Sequence, residues 1–177
     1  MKAFVTSIGE TTTDVCVWSL ERQGFETVLI DGESTLWEKL KQIFEMADDD
    51  FIRVDADVVC NQNVMKLIEQ KDGWWFQAQT FEWYRQDVGY GGVQYIKKGC
   101  FPAIRKHIDE AERMERPESY LSRLEEFHNP RVFKSVELIC GVHGFKQSDT
   151  QRVKDTKMRR GQYGNYDWEL ANRLDTL

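Results

Sequence analysis

The residues most able to do chemistry lie in FIRVDADVVC (51–60), where Asp55 and Asp57 close an otherwise apolar, strand-like run. Two carboxylates this near one another repel unless positive charge sits between them, and a divalent cation is a common way to supply it. The same residues also suit a strand-end turn in which an aspartate caps the following helix, and the motif by itself allows either use. A second group stands in ELICGVHGFKQ (137–147), a strand pattern that runs into Gly141, His143, Gly144 and Lys146. A neutral imidazole at a glycine-rich strand exit can ligate a metal, and a lysine three residues on can meet a phosphate. A hydrogen-bonded structural histidine fits the position as well. In GYGGVQYIKKG (89–99), Gly91 and Gly92 precede an alternating strand, the mark of close backbone approach to a ligand or a neighbouring strand.

The elements that must position these groups alternate between strand and helix. AFVTSI (3–8) reads as a first strand, and TTTDVCVWSLERQG (11–24) as a helix that stops at Gly24, where a C-terminal glycine belongs. FETVLIDG (25–32) is a second strand ending on Asp31-Gly32. STLWEKLKQIFEMA (34–47) then places Leu36, Trp37, Leu40, Ile43, Phe44 and Ala47 at helical spacing, with Ser34 or Thr35 available as cap. DDDFIRVDADVV (48–59) supplies a turn and a third strand, and NVMKLIEQ (63–70) a short helix. Repeated strand–helix units of this kind imply right-handed crossovers and a mainly parallel sheet. The aromatic-rich GWWFQAQTFEWYRQD (73–87) is core before it is a sugar-stacking surface, and the alternating charges of 102–127 read as a solvated helix.

Composition bounds the rest. With 177 residues, 41% hydrophobic and 31% charged, the chain is expected to be one globular domain with an ordinary core. A net charge of −6 argues against a general nucleic-acid binder. Cys16, Cys60, Cys100 and Cys140 show no Cys-x-x-Cys and no zinc-knuckle spacing, which fits reduced, buried thiols. No apolar run reaches the roughly 18–20 residues of a spanning helix, and no long apolar leader opens the chain. A cytoplasmic protein is the expectation.

In such a sheet, ligands bind beyond the carboxyl ends of the strands. Thr6 and Ser7, then Asp31, then Asp55 and Asp57 are deposited at that edge. Together with the Asp-x-Asp at a strand end, GYGGVQYIKKG and VHGFKQ, this pattern resembles the nucleotide-sugar glycosyltransferases of the GT-A fold. VHGFKQ is similar to the His-x-x-Gly-x-x-Lys signature of glycogenin-like retaining members, at a tighter spacing. GNYDWELANRL (164–174) is similar to the acidic helix start of inverting members, with Tyr166 where they carry Glu.

The resemblance implies a three-layer α/β/α, Rossmann-like domain over residues 1–177. Its nucleotide-binding half would cover about 1–60 and its acceptor and metal half about 61–177. It implies Mn²⁺ or Mg²⁺ held by Asp55, Asp57 and His143, and a nucleoside-diphosphate sugar, UDP- or GDP-linked, as donor. Thr6, Ser7 and Asp31 would contact base or ribose, Gly91 and Gly92 the sugar side, and Lys146 the diphosphate. Lys39 would reach a phosphate, unless it stands with Lys41 on a solvated helix face. Asp167 would be the general base for the acceptor hydroxyl, or the N-cap of the last helix. The acceptor is a glycan, a lipid-linked group or a protein. Three other readings compete. A nucleotidyltransferase on the same superfold is the nearest. DADVV also fits the nucleophile motif of haloacid-dehalogenase-like phosphatases, although that family carries it on the first strand. A non-catalytic nucleotide- or partner-binding domain would keep the Asp pair as a cap.

Overall fold

The computed structural model describes residues 1–83, 86–114, 116–124 and 133–144. Strand β1 (Lys2–Thr6) leads through helix α1 (Thr13–Glu21) to β2 (Glu26–Ile30), and α2 (Leu36–Met46) leads to β3 (Phe51–Asp55). After Asp57 come the short strand β4 (Val58–Cys60) and α3 (Asn63–Ile68), then β5 (Trp75–Glu82) and β6 (Asp87–Ile96). Helices α4 (Phe101–His107) and α5 (Pro117–Leu121) precede β7 (Phe133–His143). Helix α2 starts where its cap predicts: Thr35 accepts from the Glu38 amide and Glu38 reaches back to the Thr35 amide, a reciprocal capping box. Gly24 ends α1 at φ +85°, a left-handed turn that a side chain would strain.

Among the described residues the strands form one sheet in the order β2-β1-β3-β6-β5-β7-β4. Five strands run one way while β6 and β4 run against them, so the pairing is mixed rather than mainly parallel. Strand–helix–strand crossovers join only β1, β2 and β3, which are indeed parallel neighbours; β5 and β6 are instead a hairpin. The described residues of the expected solvated helix over 102–127 likewise do not form one helix. Pro117 opens α5 as a separate piece, and Phe101, Ile104, Ile108, Ala111 and Leu121 are buried beneath the charged surface.

Strand alternation sends side chains to two cores, one on each face. Phe4, Phe51, Trp75 and Ile96 pack with Leu40, Ile43 and Phe44 of α2 and with Phe101 and Ile104 of α4. Ala3, Val5, Ile52, Val54, Phe76 and Val93 pack with Cys16 and Leu20 of α1 and with Val64 and Leu67 of α3. The result is the three-layer α/β/α architecture. All four cysteines are buried free thiols, and Trp75 and Phe76 belong to the core.

The sheet must curl. β4 is hydrogen-bonded at the far edge from β2, yet it follows β3 after two residues. Three residue steps reach at most about 10 Å, so β6, β5 and β7 bend round to bring that edge back towards the end of β3. Register shifts in β5 between Gln77 and Phe81, on both of its neighbours, accompany the bend.

Candidate functional site

On the α2 face of the sheet, apolar side chains give way to polar ones towards the carboxyl ends. Phe4 is followed on that face by Thr6, Phe51 by Arg53 and Asp55, and Trp75 by Gln77; on the reversed β6, Ile96 is preceded by Gln94. These polar ends line a cavity of about 620 Å³ together with Ile8, Glu10, Ser34 and Lys39 on one side and Arg116, Glu118 and Arg123 on the other. Asp57, Glu82, Gly91, Gly92 and His143 complete the part of the wall that matters chemically.

Asp55 and Asp57 meet different cations, so the repulsion expected between them is answered twice from within the chain. Arg53, only 4% exposed, makes a short charge-assisted bond through Nη2 to Asp55 Oδ1. Its Nη1 donates to Gln94 Oε1 at 3.1 Å, and Nη2 also reaches Thr6 Oγ1 at 3.3 Å. Thr6 in turn donates to Asp55 Oδ1 at 3.0 Å. Gly92 lets this corner close: at φ +71°, a Cβ there would stand 2.6 Å from Val58 Cγ2 and 3.6 Å from Asp55 Oδ2. Gly91 has nothing within 4 Å of a built Cβ, so it faces open cavity.

Asp57, buried between β3 and β4, faces His143. In the ladder, His143 of β7 stands opposite Val58 of β4 on one side and Glu82 of β5 on the other. Its Nε2 lies 3.0 Å from Asp57 Oδ2, and its Nδ1 lies 2.7 Å from Glu82 Oε2. Gly141 permits the close β4–β7 approach, since a Cβ there would meet the Val59 carbonyl oxygen at 2.6 Å. Burial opposes a charged imidazole, but Asp57 and Glu82 outweigh it and push the pKa of His143 up to about 10.

Does this chemistry suit a divalent cation? Donors on adjacent corners of a six-coordinate ion with bonds of about 2.1 Å lie about 3.0 Å apart, and Nε2 and Oδ2 have that separation. His143 Nε2 is buried against Asp57 Oδ2, and Nδ1 is engaged by Glu82, so both ring nitrogens already have carboxylate partners. Among the described residues no group of three or more His, Cys, Asp or Glu side chains forms a metal cage. As they stand, Asp57 and His143 form an internal ion pair, and an outside cation would have to replace the imidazole proton, with Asp55 adjacent but turned onto Arg53.

The remaining sequence-predicted residues are distributed unevenly. Ser7 is buried: its hydroxyl donates to Glu10 Oε2 at 2.8 Å and accepts from the Gly9 amide at 2.9 Å, so it shapes the loop after β1. Asp31 is exposed on the turn after β2, bonded to the Gly32 amide, and does not line the cavity. Lys39 is no solvated side chain. It is 3% exposed and donates to the carbonyls of Ser7 and Gly32, the latter at 2.9 Å. Burial holds its pKa below the usual lysine range against the pull of Glu10, Asp31 and Asp55. Lys41 is the solvated one, paired with Asp109 at 2.7 Å. Lys146 and Asp167 lie outside the described residues.

Sequence reasoning missed Arg53, Glu82 and Glu118. Arg53 had a signal, a charge at a core-facing position in FIRVD. Glu118 of α5 lines the cavity with Oε2 buried and without a hydrogen bond, and burial raises its carboxyl pKa.

The fold is the GT-A-like α/β architecture shared by nucleotide-sugar transferases and nucleotidyltransferases. One solved structure, a glycosyltransferase involved in the glycosylation of the major capsid of PBCV-1, superposes with a TM-score of 0.58 at 11% identity over 88% of this chain and 98% of that one. The 4-diphosphocytidyl-2C-methyl-D-erythritol synthase of Anaerococcus prevotii gives 0.56 at 10% identity, covering 85% and 93%. A197 from STIV gives 0.51 at 15% identity, covering 77% and 81%. No protein-family model and no curated protein matches the sequence. Among the described residues no helix is long and apolar enough to cross a membrane.

Proposed function

We propose that this protein is a metal-dependent glycosyltransferase that moves a sugar from a nucleoside-diphosphate donor to an acceptor hydroxyl. The observation that carries the reading is the meeting of Asp57 and His143 at 3.0 Å in the wall of a polar cavity beyond β1 and β3. Asp57 and His143 would hold Mn²⁺ or Mg²⁺, which when bound supplies Lewis-acid neutralisation of the leaving diphosphate. His143 Nε2 must give up its proton before it can serve as a ligand. Asp55 is held by Arg53 beside that point and orients water or ribose hydroxyls. Residues 1–60 take the nucleotide, UDP- or GDP-linked, with Thr6 and the loop around Ser7 at the base and ribose side. Lys39 acts through the carbonyls it pins at the ends of β1 and β2 rather than on phosphate. Gly91 leaves room for the sugar, and Lys146 adds charge at the diphosphate. Asp167 is the proposed base for the acceptor.

The nucleotidyltransferase reading is favoured by one observation, the likeness to a cytidylyl-type synthase at nearly the same TM-score. It expects nucleoside triphosphate consumption and pyrophosphate release. Titration calorimetry of UDP, GDP, CDP and dTDP with Mn²⁺ tests the main proposal. One diphosphate should bind only with Mn²⁺ present, and its sugar conjugate should be slowly hydrolysed or transferred. Tight metal-independent binding, or pyrophosphate release from a triphosphate and a sugar phosphate, would replace it.

A further inference from the structure

Resting on the transferase reading, which supplies an acceptor, we propose that the α5 side of the cavity takes an acceptor sugar bearing an anionic group. No metal enters this recognition. Residues 116–124 sort their side chains by helical spacing. Leu121 and Leu124 join the core on the α2 face, and Pro117 is buried. Arg116, Ser119 and Arg123, at i, i+3 and i+7, instead line the cavity. The winding carries on past Leu121: the Ser122 amide donates to the Glu118 carbonyl, and the Arg123 amide to the Tyr120 carbonyl, both at 3.0 Å. Both arginines are exposed, and among the described residues neither guanidinium makes a hydrogen bond or an ion pair. In a chain of net charge −6, two unanswered guanidiniums on one cavity wall run against the composition. Glu118, the acid beside them, feels Arg116, but burial raises its carboxyl pKa, which weakens its opposition to an anion.

The sheet on this face supplies the other half. One register row crosses four strands, with Arg53 opposite Gln94, Gln94 opposite Gln77, and Gln77 opposite Ser135. All four line the cavity. The row before it on the same face is Phe51, Ile96, Trp75 and Phe133, so the sheet turns from apolar to polar in one step. Among the described residues the Gln77 amide and the Ser135 hydroxyl make no hydrogen bond. Groups of this kind both donate to and accept from sugar hydroxyls. A guanidinium fork matches a phosphate or a carboxylate. The acids elsewhere in the cavity are answered within the chain, Asp55 by Arg53 and both Asp57 and Glu82 by His143. Arg116 and Arg123 are thereby left to meet an anion from outside, beside a floor of neutral polar groups.

Nuclear magnetic resonance titration of the full chain, at low salt and without nucleotide or metal, tests this. The probes are glucose 6-phosphate, glucuronate, glucose and inorganic phosphate. One of the two charged sugars should bind at least about tenfold more tightly than glucose and than inorganic phosphate. It should also shift the Nε–Hε signals of Arg116 and Arg123, and whichever charged sugar binds identifies the anion as phosphate or carboxylate. The double variant Arg116→Gln, Arg123→Gln, altered only at exposed positions, should lose about tenfold or more of that affinity. Gln77→Ala should weaken the charged sugar and leave inorganic phosphate unchanged. No binding of either charged sugar, equal binding of glucose, or unchanged affinity in the double variant would overturn the subsite. Inorganic phosphate binding as tightly as the charged sugar would overturn its sugar half. Charged-sugar binding in a protein that takes no nucleoside diphosphate would overturn the transferase reading and leave the subsite standing.

Discussion

Asp55 and Asp57 are two residues apart, yet they inhabit different electrostatic worlds. Asp55 answers to Arg53, a buried guanidinium that is itself braced by Gln94 and Thr6. Asp57 answers to His143, whose charge can be given up. One aspartate is permanently satisfied by its own chain; the other has a counter-ion that can be exchanged. An Asp-x-Asp motif therefore need not act as a symmetric pair of ligands. The side held by a guanidinium and the side held by an imidazolium are distinct.

The largest expected effect breaks the permanent side. Arg53→Met should cost about 3 kcal/mol of unfolding free energy in urea titrations, because it strands the carboxylate of Asp55 and the Gln94 amide beside a core. A loss no greater than that of an exposed ion pair, about 1 kcal/mol or less, would erase the distinction. Next, the two aspartates should respond unequally to amidation. On the proposed metal reading, Asp57→Asn should weaken Mn²⁺ binding by about a hundredfold, while Asp55→Asn should weaken it about tenfold or less. Equal losses by electron paramagnetic resonance titration would restore the symmetric picture.

A third test separates the sides by pH. His143 has its pKa raised from 6.5 to about 10, so its charge stabilises the metal-free fold fully below pH 6.5. That contribution drains away as pH rises to about 10. The stability difference between parent and His143→Gln, measured without metal, should shrink over that window, whereas the difference between parent and Arg53→Met should stay flat. The smallest effect concerns Glu118, which feels both Arg53 and Asp55. Burial raises its carboxyl pKa, so its ionisation above the usual carboxylate range costs stability. Glu118→Gln should raise the melting temperature at pH 7 by about 2 °C, with no gain at pH 4. A drop at pH 7 would mean that Glu118 is a satisfied anion instead.

Much of the fold was legible in the sequence because its signals are local. The Thr35–Glu38 box, Gly24 and the apolar spacing of α2 each dictate a boundary or a face without help from distant residues. The edge on which Thr6, Asp55 and Asp57 gather follows from strand direction alone. Pairing across the second half was not legible. That β7 enters between β5 and β4 is decided by the curl of the sheet, and with it the fact that His143 meets Glu82 as well as Asp57. Lys39 misled for a related reason: its helical position looks solvated until the loops after β1 and β2 close over it.

Among the described strands, β4 has one hydrogen-bonded neighbour, β7, and that strand is the last of the seven along the chain. During synthesis, β1, β2 and β3 can pair as soon as they emerge, since the crossovers between them are short. The segment that follows Asp57 must wait, because its partner is not yet made and closing so long a loop is slow. Until β7 is made, Asp57 stands without its histidine. The arrival of β7, the last of the described strands, gives β4 its neighbour and brings His143 to Asp57 in one event. The meeting of Asp57 with His143 is thus tied by topology to the arrival of β7, and a chain halted before β7 would carry the motif without that pair.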